Sequence, residues 1–242
     1  MALNNPAARL HNILKLCKSL ANEMGGKPMV QAWRKVFSLD DDVEDIVVMS
    51  KVGRVYGLPS QISDEIKQFE DLDHTLYLGW KNDLAQAFQA ISFTNAFSGF
   101  TNKLSDSLLI NIQFCAHELS KRCPEKIVDD AQLAELKEAV YTLYQEVQKA
   151  NLATELSRYL LDHLYLMIEA IDNYLITGAR ALQNSIDNIV GTVITNQKVA
   201  TAVKDSPVGN KFWGVVGKAA VLLQISKTAM ELGEGAFKLL SE

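Results

Sequence analysis

Residues 131–196 constrain the fold more than any other part of the chain, because their apolar residues keep a helical rhythm almost throughout. Leu133, Leu136, Val140, Leu143, Tyr144 and Val147 recur at offsets of three and four, the spacing that stacks side chains on one helical face. Leu152, Leu156, Tyr159, His163 and Leu166 resume the pattern after a break at Lys149, Ala150 and Asn151. The spacing predicts a long helical hairpin whose two apolar stripes need partners. It carries no catalytic signature.

Helical patterns fill the remainder. Residues 6–23 read as a first helix with Leu10, Ile13, Leu14 and Leu20 on its apolar side, stopped by Gly25 and Gly26. Pro28 suits the first turn of a second helix through Phe37, where its missing N–H costs nothing. Ser38 and Asp40 to Asp42 are placed to cap a third helix reaching Tyr56, since side-chain oxygens there satisfy free backbone N–H groups. Gly57, Leu58, Pro59 and Ser60 read as a turn, followed by a short helix to Phe69. Residues 46–49 have strand propensity but no pairing partner, so they are assigned to helix.

Residues 76–93 and 104–119 read as two further helices, separated by residues 98–102. Residues 120–130, with Pro124 and the charged Lys121, Arg122, Glu125 and Lys126, mark a boundary between an N-terminal half, 1–125, and a C-terminal half, 126–242. The alternative is one continuous domain. Gly178 is placed to kink or end a helix that then runs to Thr195. Ser206 and Pro207 announce a last helix over residues 210–240. The sum is an all-α bundle of about eight to ten helices with a central hairpin and an amphipathic C-terminal helix.

A hydrophobic fraction of 48% with 22% charged residues describes a globular chain with a real core, too apolar for disorder. The formal charge of −5 argues against nucleic acid as a partner, because phosphate contacts need a basic surface. Three cysteines, Cys17, Cys115 and Cys123, form no framework of pairs and read as reduced thiols in a cytoplasm. Neither a secretory leader nor a membrane span of about 18 apolar residues is visible.

Few residues suggest chemistry. Arg158 and His163 form an Arg-x4-His pair, which resembles the signature of the HEPN ribonucleases over six residues. That resemblance implies an Arg and a His acting on RNA across a dimer cleft. On a straight helix, five residues turn the two side chains about 140° apart. Arg158 also lies between Glu155 and Asp162 at ion-pair spacing, and His163 falls on the apolar stripe, where a hydrogen-bonded core histidine is expected. Cys115, His117 and Cys123 do not converge as zinc ligands should, because residues two apart on a helix point to different sides. No metal or cofactor is expected. Gly53 and Gly57 fit close helix contact or a helix end, and Gly214 and Gly217 lack the Lys-Ser/Thr ending of a phosphate loop. Asp40, Asp41, Asp42, Glu44 and Asp45 fit helix-dipole stabilisation at a helix start.

The C-terminal segment is the strongest functional lead. Projected on a helix, Phe212, Val216, Ala219, Leu223, Met230 and Phe237 cluster on one side, opposite Gln224, Lys227, Glu231 and Lys238. This arc is expected either to close the core or to form an interface through Phe212, Val216, Leu223, Met230 and Phe237. The function expected is therefore a non-enzymatic helical interaction or regulatory protein that pairs with another protein or with itself. A general likeness to uncharacterised helical proteins of bacteria extends that expectation to bacterial defence or toxin control. The rivals are a membrane-active effector using the C-terminal helix and residues 186–194, with a membrane surface as partner, and a HEPN-like ribonuclease.

Overall fold

The apolar stripes close two separate cores. A computed structural model describes residues 4–224, and the chain divides into two compact units, Met1–Glu125 and Lys126–Glu242. Thirteen helical segments and one isolated β-bridge, between Pro28 and Ala96, make up the regular structure among the described residues. The protein is all-α.

In the first unit α1 (Pro6–Ser19) starts where the sequence places it, with Pro6 in the first turn and Asn5 as cap. Asn5 accepts a hydrogen bond from the Ala8 amide (2.9 Å) and donates one to the Ala116 carbonyl (2.9 Å), so one side chain both caps α1 and ties it to a second helix. Arg9, also buried, donates to Glu125 at 2.6 Å and to Asn4 at 3.1 Å. The short α2 (Ala21–Met24) and α3 (Met29–Val36) follow, then α4 (Asp45–Ile66), α5 (His74–Leu78), α6 (Lys81–Phe88), α7 (Ser98–Thr101) and α8 (Asp106–Arg122). Helices α1 and α8 pack side by side, and α1 also packs on α3 and α4.

The expected turn at residues 57–60 is overturned, because α4 runs unbroken through Pro59. Val48, Val52, Val55, Leu58, Ile62 and Ile66 form one buried stripe along it. Proline inside a helix costs about 3 kcal/mol, while fully burying one large aliphatic side chain contributes about 1.5–3 kcal/mol, so six of them outweigh the break. Gly53 and Gly57 consequently lie within α4 with nothing packed where a Cβ would stand, which corrects the expectation of close contact or a helix end. The capping role expected of Ser38 and Asp40 to Asp42 also fails. The residue at the start of α4 is Glu44, without a side-chain capping bond, while Ser38 sits just beyond α3.

Other boundaries shift for similar local reasons. The helix expected over 76–93 is two pieces, with α5 capped by Asp73 and a fully buried Trp80 between them. Trp33 gathers the core aromatics, stacking on Phe37 at 5.3 Å and meeting Phe100 at 5.7 Å and Phe97 at 6.5 Å.

The second unit opens with the hairpin, α9 (Asp130–Lys149) and α10 (Thr154–Asp172), broken where the sequence breaks. Then come α11 (Tyr174–Thr195), α12 (Gln197–Lys204) and α13 (Pro207–Leu222). Helix α10 packs on α9, α11 and α12, and α13 packs on α9. The short α12 has no counterpart in the sequence reading. Helix α13 starts three residues before the expected position and ends at Leu222, with Gln224 in the left-handed region (φ 53°), so no single helix covers 210–240. No helix among the described residues is long and apolar enough to cross a membrane.

Two glycines make the second unit buildable. Gly178 breaks α11 near its start with φ 64° and ψ −161°, a region essentially closed to residues with a Cβ. A Cβ on Gly209 would meet the Val203 carbonyl oxygen at 1.8 Å, so only glycine lets α13 lie against the end of α12. Gly178→Ala and Gly209→Ala are each expected to cost about 1–3 kcal/mol, read as a lower urea midpoint, through strain at the first and a backbone clash at the second. Gly53→Ala, on an open helix face, should instead be neutral or stabilising.

Candidate functional site

The Arg158/His163 pair is not assembled into one site. Both lie on α10, but Arg158 is exposed and His163 is buried in the core of the second unit. No ion pair joins Arg158 to Glu155 or Asp162 among the described residues. The His163 ring meets Tyr159 edge-on at 4.4 Å, and Tyr159 in turn meets Phe212 of α13 at 6.0 Å. The Tyr159 hydroxyl donates to the Ile189 carbonyl of α11 at 3.3 Å. His163 Nδ1 is buried with no hydrogen-bond partner among the described residues, which corrects the expectation of a hydrogen-bonded histidine. Burial lowers the His163 pKa below its ordinary value of 6.5, opposed by the charge of Asp162, and burial raises that of the Tyr159 phenol. Both rings are packed in the core of the second unit.

The C-terminal residues singled out from sequence meet the same core. Phe212, Val216 and Leu223 are buried with Ala219 against the α9–α12 face, so their apolar area is used inside the unit. Met230 and Phe237 lie outside the described residues. Lys211 pairs with Glu146 of α9 at 2.7 Å, and Trp213 packs on Phe212 at 5.8 Å, which gives both a role within the unit. Within the segment 186–194, Ile186, Ile189 and Val193 are likewise buried, while Ile194 is 46% exposed.

The first unit separates the remaining candidates. Cys115 is buried, with its thiol donating to the Tyr77 carbonyl at 3.0 Å, and burial pushes its pKa up. His117 is exposed on the other side of α8, and Cys123 is half-buried at its end. No group of three or more His, Cys, Asp or Glu side chains among the described residues is placed to hold a metal ion.

A surface that the sequence reading passed over lies on α8. Taking Leu108 as origin, Ile112, Cys115 and Leu119 fall within about 40° of it and are buried, while His117, Ile110 and Phe114 fall at about 180°, 200° and 240°. Ile110 is 49% exposed and Phe114 61%. The signal was present as a second apolar spacing of four on the same helix, masked because the first stripe already accounted for a core face. His11 of α1 lies close enough to feel the charge of His117, and its pKa is lowered, first by desolvation and then by Lys15 and His117, against a hydrogen bond to Asn12 that raises it. The outward face of α8 thus carries two large apolar side chains, with His117 on the same side of the helix. Comparison with known proteins finds no matching family model, no matching curated protein and no matching solved structure.

Because His163 resists protonation when folded, the unfolded chain binds the proton more tightly. Its neutral form therefore contributes stability that is present above pH 6.5 and lost as pH falls below it. The urea midpoint of the wild type should fall as the pH is lowered from 7 to 5, and His163→Leu should flatten that dependence. Phe212→Ala is expected to cost about 3–5 kcal/mol, as truncation of a filled core site does, and to lower the thermal midpoint of the second unit. A Phe212→Ala chain with unchanged stability would return that side chain to the interface reading.

Proposed function

We propose that this chain is a non-enzymatic interaction or regulatory protein, which engages a protein partner or a second copy of itself through the outward face of α8. The observation that carries this reading is the exposed pair Ile110 and Phe114, held one turn apart on a helix whose opposite face is locked into the core. Large apolar side chains presented in register on a rigid helix are the anchors of helix-mediated recognition. The rigidity has visible sources. Lys18 pairs with Asp106 at the start of α8 (2.7 Å), Asn5 bonds Ala116 at its middle, and Arg122 bonds Asp71 at its end (2.6 and 2.9 Å).

The chemistry of α10 supports the same direction. An exposed arginine and a core histidine give a ribonuclease no shared reaction centre on one chain, and the interaction reading requires none. A place in bacterial defence or toxin control belongs to this proposal as the setting in which small helical regulators bind an effector.

Ile110→Asp with Phe114→Asp places two charges on the exposed face, where folding should tolerate them within about 0.5 kcal/mol. Light scattering over a concentration series, together with affinity capture, provides the measurement. The double variant should keep its helical circular dichroism and thermal midpoint while losing self-association or the captured partner. Unchanged association in a folded double variant would remove α8 from the interface and defeat the proposal.

A further inference from the structure

We propose that the partner received by the outward face of α8 is an acidic amphipathic helix, which lays its apolar side on Ile110 and Phe114 and its carboxylates along Lys15, His11 and His117. This rests on the interaction reading and adds to it the chemistry of the partner.

Helices α1 and α8 run antiparallel, because Lys18 at the end of α1 bonds Asp106 at the start of α8 (2.7 Å) while Asn5 at the start of α1 bonds Ala116 (2.9 Å). Between those ties, His11 and Lys15 stand beside the turns of α8 that carry Ile110 and Phe114. With Leu108 as origin, Ala116 lies at about 80° and Asp106 at about 160°, the side of α8 that meets α1. His117, Ile110 and Phe114 follow at about 180°, 200° and 240°, progressively farther from it. On α1, His11 and Lys15 stand about 20° and 60° from Lys18, turned outward from the buried Leu14. The two helices present one continuous surface, basic along α1 and apolar along α8, with His117 at the seam. His11 feels the charge of His117 across that seam.

The fold leaves the charge of this surface unanswered. Helix α1 contains no acidic residue, and Lys15 is exposed with no ion pair among the described residues. Lys18 and Asp106 answer each other, and Glu118 is taken by Arg122 (2.7 Å) and Lys121 (3.4 Å). Helices α2, α3 and α4 also pack on α1, yet the charges that act on His11 among the described residues are those of Lys15 and His117. Desolvation first, and then those two groups, hold its pKa below 6.5, against the bond to Asn12 that raises it. A carboxylate set beside the two imidazoles reverses the effect of the charges.

An acidic partner completes that pattern. One lysine and two histidines are too few for a phosphate backbone or an anionic bilayer, whose binding accumulates over many cations. A strand finds no sheet edge to join, since the described residues hold one isolated bridge. A helix with apolar residues at offsets of three and four matches the one-turn spacing of Ile110 and Phe114. Exposed ion pairs are individually weak, so the apolar anchors supply affinity and the charges select the partner.

The test is fluorescence anisotropy of the full chain with three synthetic helical peptides of about 18 residues, which share a Leu and Phe stripe and carry Glu, Gln or Lys on their flanks. The Glu peptide should bind about tenfold tighter than the Gln peptide at low salt and lose that margin at high salt. Lys15→Glu should weaken the Glu peptide about tenfold and leave the Gln peptide unchanged. Affinity for the Glu peptide should rise as the pH is lowered from 7.5 to 6, because bound carboxylates favour the charged imidazoles. His11→Gln with His117→Gln should remove that rise. Ile110→Asp with Phe114→Asp should abolish binding of every peptide. If the Glu and Gln peptides bind alike, the acidic partner is overturned and the α8 interface stands. The acidic partner is also overturned if no peptide binds, or if phosphatidylglycerol vesicles are bound in preference to all three. The chain's own association in the Ile110→Asp and Phe114→Asp variant then decides whether the interface stands. Peptide binding that persists in that variant overturns both.

Discussion

Burial of the apolar face of α10 is the constraint around which the second unit is arranged. Leu156, Leu160, Leu164, Met167 and Ile171 follow one another at offsets of three and four, and the helix they define packs on α9, α11 and α12. Tyr159 extends the contact, through Ile189 to α11 and through its ring to Phe212 of α13. The same burial accounts for His163. Its place on the stripe takes its ring out of water and leaves Nδ1 without a bond among the described residues. Close approach of α12 and α13 then requires Gly209, and entry into α11 requires the backbone freedom of Gly178.

In the first unit, charge performs the fastening that sequence pattern leaves open. Arg9 reaches Glu125 in a buried pair at one end of the unit's chain, and removing either partner would strand a charge away from water. Arg122 grips Asp71 with two nitrogens, binds Glu118 through Nε and lies over the Phe69 ring at 4.7 Å, which anchors the loop after α4 to the end of α8. That same grip holds the Asp71 carboxyl below its ordinary value. Arg34 and Lys35 likewise tie the segment before α4 and the short α2 to α3. These tethers are mostly exposed and individually weak, so their effect is to choose the position of loops that the core leaves undetermined.

The element pattern was legible wherever burial and periodicity agreed. The hairpin of α9 and α10, its break near Ala150, the start of α1 at Pro6 and the discontinuity at Gly178 all follow from apolar spacing, proline position or glycine. Misreading came where a local signal opposed a long-range one. Residues 57–60 carry the composition of a turn, yet α4 passes through them because its stripe continues on both sides. The short α12 was missed because Val199, Ala200 and Val203 supply too little pattern to stand apart. On α8, the apolar pair Ile110 and Phe114 was visible as spacing, but spacing does not say which of two stripes faces water.

The sequence by itself determined the helical class, the hairpin and most helix starts, because these depend on side-chain periodicity and backbone preference within a few turns of chain. Tertiary structure alone decided that Phe212 and Val216 are core, that Arg158 and His163 face different surroundings, and that Ile110 and Phe114 are the exposed pair on α8. Each of those depends on which surfaces meet across tens of residues, and burial is a property of the neighbour as much as of the residue.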